Sequence, residues 1–102
     1  MSFVEMRRYR LKVGTPERWV KTYFDKGYEP QRKHLGEPVG YYTTEFGGIN
    51  EIIHMWRYDS LAERAAKRKA LFADPDWQEF VTEIVPLVEA QENAILRDIF
   101  ED

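Results

Sequence analysis

The alternation of apolar and polar positions changes period several times along the chain, and each change marks an element. Residues 3–13, Phe-Val-Glu-Met-Arg-Arg-Tyr-Arg-Leu-Lys-Val, alternate with a period of two and are rich in strand formers, so they read as a first strand. Gly14 breaks that run. Thr15-Pro16-Glu17 then reads as a helix start, with Thr15 able to cap, Pro16 suited to the first helical position and Glu17 near the positive end of the dipole. Trp19, Val20, Tyr23, Phe24 and Tyr28 recur at helical spacing as one apolar stripe, and Pro30 is expected to kink or end this helix. A charged stretch from Gln31 to His34 leads to Gly36.

Val39 to Phe46 reads as a second strand, and Gly47-Gly48 as the turn behind it. Ile52 to Tyr58 is the clearest strand. Ser60 with Glu63 is a capping box opening a helix from Leu61 to Phe72, with Leu61, Ala65 and Phe72 on one side. Asp74-Pro75 caps and starts a further helix through Trp77, Phe80, Val81 and Ile84, which Pro86 stops, and Leu87 to Leu96 forms the last strand. The order β-α-β-β-α(α)-β predicts an α+β, ferredoxin-like split βαβ fold, with a four-stranded antiparallel sheet and helices on one face. No linker or repeat divides residues 1–102, so one domain is expected.

Helices on one face leave the other bare. Ile53 and Met55 oppose Ile52, His54, Trp56 and Tyr58; Val4 and Met6 oppose Phe3, Tyr9 and Leu11; Leu87 and Ile95 oppose Val88, Ala90, Ala94 and Leu96. Both faces are apolar, and a bare one would exceed the few hundred Å2 of patch that soluble monomers carry. The expected remedy is a homodimer, or a higher even-numbered oligomer, packed sheet to sheet.

Composition narrows the chemistry. Of 102 residues, 43% are hydrophobic and 32% charged, which excludes a disordered tail or a collagen-like chain. There is no cysteine, and hence neither a disulfide nor a thiolate nucleophile. A balance of 15 Lys and Arg against 18 Asp and Glu, with a pI near 5.4, argues against nucleic acid or an anionic membrane as partner. No apolar run approaches the ~20 residues of a membrane helix, and the first twelve residues lack the apolar stretch of a secretory signal, so a soluble cytoplasmic protein is expected. His34 and His54 stand on different elements without ligand spacing, and no phosphate-binding glycine loop or nucleophile elbow occurs; neither a metal nor another cofactor is expected.

Glu5-Met6-Arg7 with Tyr9 and Gly14, Val39-Gly40-Tyr41-Tyr42, Gly47 with Asn50, His54-Met55-Trp56 with Tyr58, Ser60-Leu61-Ala62-Glu63-Arg64, Asp74-Pro75-Asp76-Trp77 and Gln91-Glu92-Asn93 together resemble the NIPSNAP family in order along nearly the whole chain. The chain departs from that pattern at Tyr42, where a Trp is common, and at Val13, where a Pro is common. The resemblance implies a dimeric α+β barrel of undefined biochemical role, with cofactor-free monooxygenases and small isomerases among relatives by fold.

Several residues could carry chemistry on such a scaffold. His54 lies mid-strand between apolar neighbours and suits general acid–base work, while the plainer reading is a satisfied core histidine. Arg7, flanked by Glu5 and Tyr9 on its own face, could anchor an anion or form a structural pair with Glu5 or Glu92. Tyr9 is a second candidate for moving a proton; Trp56 and Tyr42 would wall the pocket, and Asn93 is a candidate ligand contact. Alternation puts Gln91 and Asn93 on one face and Glu92 on the other, which leaves open the set that reaches a cavity. The cluster Arg64-Lys67-Arg68-Lys69 reads as a solvated helix face, with Glu63 paired to Lys67. The functional expectation is a pocket for a small, anionic molecule, with a cofactor-independent monooxygenase or isomerase as its enzymatic form and a non-catalytic dimeric adaptor as the alternative.

Overall fold

A computed structural model describes residues 2–101. Strand β1 (Phe3–Leu11) is followed by helix α1 (Pro16–Thr22), a π-helical turn (Tyr23–Gly27) and helix α2 (Tyr28–Leu35). Strands β2 (Gly40–Thr43) and β3 (Glu51–Tyr58) come next, then helices α3 (Leu61–Ala73) and α4 (Pro75–Ile84), a 3-10 turn (Val85–Leu87) and strand β4 (Val88–Leu96). The sheet is antiparallel in the order β2-β3-β1-β4. The α+β, ferredoxin-like architecture expected from the sequence is therefore present.

The ends of the elements follow local chemistry. Ser60 Oγ accepts from the Glu63 amide at 3.0 Å while Glu63 Oε2 accepts from the Asp59 amide at 2.7 Å, a reciprocal cap for α3. Asp74 Oδ1 accepts from the Asp76 amide at 2.9 Å and starts α4. Thr15 does not cap α1; its hydroxyl donates to the Lys12 carbonyl at 2.7 Å instead. At the end of α2 the chain turns through Gly36 at φ 79°, a conformation that a side chain resists. The first strand stops at Leu11 and the second at Thr43, because Val13 and Phe46 find nothing to pack against and are exposed.

Pro30 neither ends nor replaces its helix. It lies inside α2, directly after the π turn in which the Tyr28 amide bonds the Tyr23 carbonyl. The wider turn absorbs the misfit that a proline ring creates with the preceding turn. Of the apolar stripe, Trp19 and Tyr23 are buried, whereas Val20 and Phe24, each one position later, are exposed.

The core fills the space between the helices and the inward face of the sheet: Leu11, Ile52, Trp56 and Tyr58 from the strands meet Trp19, Tyr23, Leu71, Trp77, Phe80 and Ile84 from the helices. Two sequence assignments need correction here. On α3 the basic cluster expected to be solvated turns Arg68 inward with Leu71 and leaves Arg64 half-buried, while Leu61, Ala65 and Phe72 are exposed. On β4 the register slips once, from Arg10 opposite Ala90 to Leu11 opposite Val88, so that Glu89 is an extra residue. Val88 accordingly shares the inward face with Leu11, Ile95 faces inward beside Glu5, and only Ala90, Ala94 and Leu96 face outward with Val4 and Met6.

Candidate functional site

The inward face of β1 carries Glu5, Arg7 and Tyr9 in succession, and all three lie beneath helices rather than in water. Glu5 and Arg7 are buried to 1% and 7% exposure. Leaving either charge unpaired there would cost several kcal/mol, so the surrounding partners decide what the group can do. Arg64 from α3 forks onto Glu5, with Nε 3.0 Å from Oε1 and Nη2 2.7 Å from Oε2. Arg7 adds a 3.2 Å contact from Nη1. Burial alone would raise the Glu5 carboxyl, but the Arg64 hydrogen bonds and the charges of Arg7 and Arg64 hold it below its usual range.

The Arg7 guanidinium is largely occupied. Its Nε and Nη2 donate to the Tyr9 hydroxyl at 3.0 and 2.9 Å, and the side-chain carbonyl of Asn93, directly across the ladder, lies 3.0 Å from Nη1. Arg68, one turn beyond Arg64 on α3, is 9% exposed and differs in this respect. It stacks over the Phe72 ring at 4.9 Å, and among the described residues no carboxylate forms an ion pair with it; the Tyr58 hydroxyl stands beside it and the Glu5 charge lies farther off. Burial and the nearby Arg7 charge pull its pKa down.

His54 pairs with Arg7 across β1 and β3 and is 3% exposed. Its ring lies between those of Tyr41 and Tyr9, at centroid distances of 4.6 and 5.6 Å and nearly parallel to both. The indole Nε1–H of Trp56 donates to His54 Nδ1 at 2.5 Å. Burial, and then the charges of Arg7 and Arg68, push the imidazole down to about 3, so at neutral pH it is uncharged. With Nδ1 accepting, the proton sits on Nε2, and His54 offers its surroundings a donor.

These groups border a cavity of about 510 Å3 between sheet and helices. Arg7, Tyr9, His54, Arg68 and Gln91 supply its polar side; Trp77, Phe80, Val81, Ile84 and Val88 supply its apolar side. Gln31, 1% exposed, has a side-chain oxygen without a partner, as does the indole nitrogen of Trp77. Such orphaned polar atoms are rare in folded proteins and mark places where a ligand or water completes the bonding. Among the described residues no three His, Cys, Asp or Glu side chains cluster to hold a metal. The donor set is cationic and neutral, and what it can do is bind and polarise oxygen-bearing groups.

Of the residues singled out in the sequence, Arg7, Tyr9 and His54 converge on this cavity. Trp56 does not wall it; the indole stands behind His54, fully buried, and fixes the tautomer. Asn93 reaches Arg7 at the rim, and Glu92 faces the other way beside Arg8, as alternation requires. Tyr42 lies outside the cavity. It pairs with Ile53 and is half-exposed on the open face, and Tyr41, paired with His54, takes the inward place. Arg68 escaped the sequence reading because a basic helix cluster suggests solvent. Its spacing with Arg64 and Leu71 was the available signal, since positions four and seven apart share a helix face.

Known proteins share both sequence and shape. The NIPSNAP family model matches residues 4–99. Protein NipSnap homolog 3A of Homo sapiens is 39% identical over 95 residues, 91% of this chain and 38% of its own. The Dictyostelium discoideum NipSnap homolog is 34% identical over 89 residues, covering 87% of this chain and 39% of its own. The chain thus spans less than two-fifths of these curated relatives. A solved NIPSNAP family protein of unknown function from Agrobacterium tumefaciens superposes with a TM-score of 0.91 at 46% identity, covering 95% of this chain and 87% of that one. A putative antibiotic biosynthesis monooxygenase from Nitrosomonas europaea, at TM-score 0.70 and 9% identity over 97% of this chain and 91% of its own, shares the fold alone. A match that runs from Val4 in the first strand to Ile99 beyond the last, carried by sequence and backbone together, places the chain in the NIPSNAP family.

Proposed function

We propose that the chain binds a small organic anion in the cavity between sheet and helices, with Arg68 as principal anchor and Arg7 as a second positive charge. The observation that carries this reading is a buried guanidinium with no carboxylate in ion-pair contact, only the neutral Tyr58 hydroxyl beside it, facing a cavity of about 510 Å3. Desolvating an arginine without a partner is costly, and an anionic ligand offsets that cost. The apolar residues of α4 favour a ligand with a hydrocarbon or aromatic body. His54 Nε2–H and the Tyr9 hydroxyl, which accepts from Arg7 and keeps its own proton to donate, would polarise an oxygen of that ligand. A cofactor-independent monooxygenase or isomerase is the catalytic form of this reading, with His54 and Tyr9 as proton-donating groups.

Phenylacetate, a ring with one carboxylate, serves as the test ligand, read by the indole N–H signals of the three tryptophans in a 15N correlation spectrum. Trp77 borders the cavity and is expected to shift on titration, and Arg68→Met is expected to abolish the shift. Absence of any shift in the native protein with phenylacetate and with its dianionic analogues alike would overturn the reading in favour of a non-catalytic adaptor.

A second reading concerns the open face. Met6, Ile53, Met55, Ala94 and Leu96 face away from the helices on three adjacent strands and are partly exposed, and Val4 beside them is already buried. We infer that a second copy covers this apolar surface sheet to sheet, as a homodimer or a higher even-numbered oligomer. Light scattering at micromolar concentration tests it, and a clean monomer mass would refute it.

A further inference from the structure

The charges around the cavity do not balance, and the imbalance bears on the ligand. Fifteen residues border the cavity, and among them are two arginines and no carboxylate. Glu5, an acidic side chain nearby, contacts Arg7 and is held at both oxygens by the Arg64 fork. That pair is neutral as a unit. His54 adds no charge at neutral pH, and Tyr9, Tyr41, Gln31 and Gln91 are uncharged donors or acceptors. Arg7 and Arg68 therefore stand as two buried positive charges facing one space, and of the two only Arg7 contacts Glu5.

Two like charges in a dry site repel, and each resists burial. A ligand bearing one negative charge would leave one of them uncompensated. A ligand bearing two would neutralise the site, and the Arg68 donors not turned to Tyr58, with the remaining N–H of Arg7, could each meet a different oxygen. The apolar wall from Trp77 to Val88 sets a further condition, since a bare inorganic dianion would leave it wet.

We propose that the ligand of this cavity is an amphipathic dianion: a phosphate monoester or a dicarboxylate carried on an apolar or aromatic body. The inference rests on the anion-binding reading above and narrows it. Phosphate monoester and dicarboxylate share the chemistry that the arginines recognise, and the test separates them.

Three probes with a common phenyl ring differ only in the head: benzyl phosphate and phenylmalonate, both dianions at pH 7.5, and phenylacetate, a monoanion. Their dissociation constants are measured by calorimetry on the native protein and on Arg68→Met, with the thermal midpoint of each variant as a check of folding. At least one dianion is expected to bind about tenfold or more tightly than phenylacetate, and Arg68→Met is expected to remove that preference. Benzyl phosphate ahead of phenylmalonate assigns a phosphate monoester, and the reverse order a dicarboxylate. Equal or tighter binding of phenylacetate would overturn the dianion while leaving an anion site standing. Failure of all three probes to bind would remove the anion site as well. A dianion preference that survives intact in Arg68→Met would place its origin elsewhere and overturn the proposal. Should Arg68→Met fail to fold, Arg68→Gln, which keeps polarity without charge, serves the same comparison.

Discussion

The two faces of the sheet arrange polarity differently. The face beneath the helices carries Glu5, Arg7, His54, Gln91 and Asn93 together with its aromatic core, whereas the face without helices carries an apolar strip of Met6, Ile53, Met55, Ala94 and Leu96 flanked by Arg8, Arg10, Glu51, Arg57 and Glu92. Charges on an open face stay solvated at little cost, and charges beneath helices have to be matched. The difference separates two proposed roles. Charge under the helices is expensive, which supports the proposed site; the apolar strip in the open supports the proposed interface.

The comparison breaks most severely at Glu5. Glu5→Ala strands Arg64 and Arg7 under the helices and is expected to cost about 3–5 kcal/mol in urea unfolding. On the other face, Ile53→Asp introduces a charge amid the apolar strip and is expected to give a monomer by light scattering where the native chain gives the proposed dimer, with the helical circular dichroism retained.

Acid sharpens the same contrast. In the unfolded chain His54 titrates near 6.5, and in the folded chain near 3. Between these values the unfolded chain holds the additional proton, so stability falls as pH drops from 6.5, by up to about 1.4 kcal/mol per unit, and is unaffected by this group above that. Chemical denaturation at pH 5 and pH 7 measures the slope, and His54→Gln is expected to flatten it. Ser60→Ala, at a helix cap belonging to neither face, should cost about 1 kcal/mol at both pH values. The smallest effect is expected at Tyr42→Ala, which should leave phenylacetate binding unchanged, while Tyr41→Ala weakens it.

The order of elements was legible because capping residues, glycines and changes of period mark it locally. Ser60 with Glu63 and Asp74 with Pro75 start helices where their chemistry predicts. Arg7, Tyr9 and His54 were legible as neighbours, because alternation along two adjacent strands places them on one face. Phase was harder. Tyr41 and Tyr42 are identical in type, and only the pairing with β3 shows which one turns inward. Arg68 was missed because its stem packs like a hydrocarbon while its charge suggests water. The slip in β4 has no sequence signal, since Glu89 is an ordinary exposed residue whose surplus shows only against its partner strand.

That surplus has a consequence for how the family's chains can vary. Along a regular strand, losing one residue transposes every later side chain to the opposite face, as a lost letter garbles the text behind it. At Glu89 the count already contains a silent letter: Val88 faces inward and Ala90 outward, as neighbours in a regular strand would. A chain shortened by that one residue would keep Asn93 and Gln91 beside the cavity and Ala94 on the bare face, exchanging only local twist. The bulge is thus the place in β4 where length can change without changing meaning.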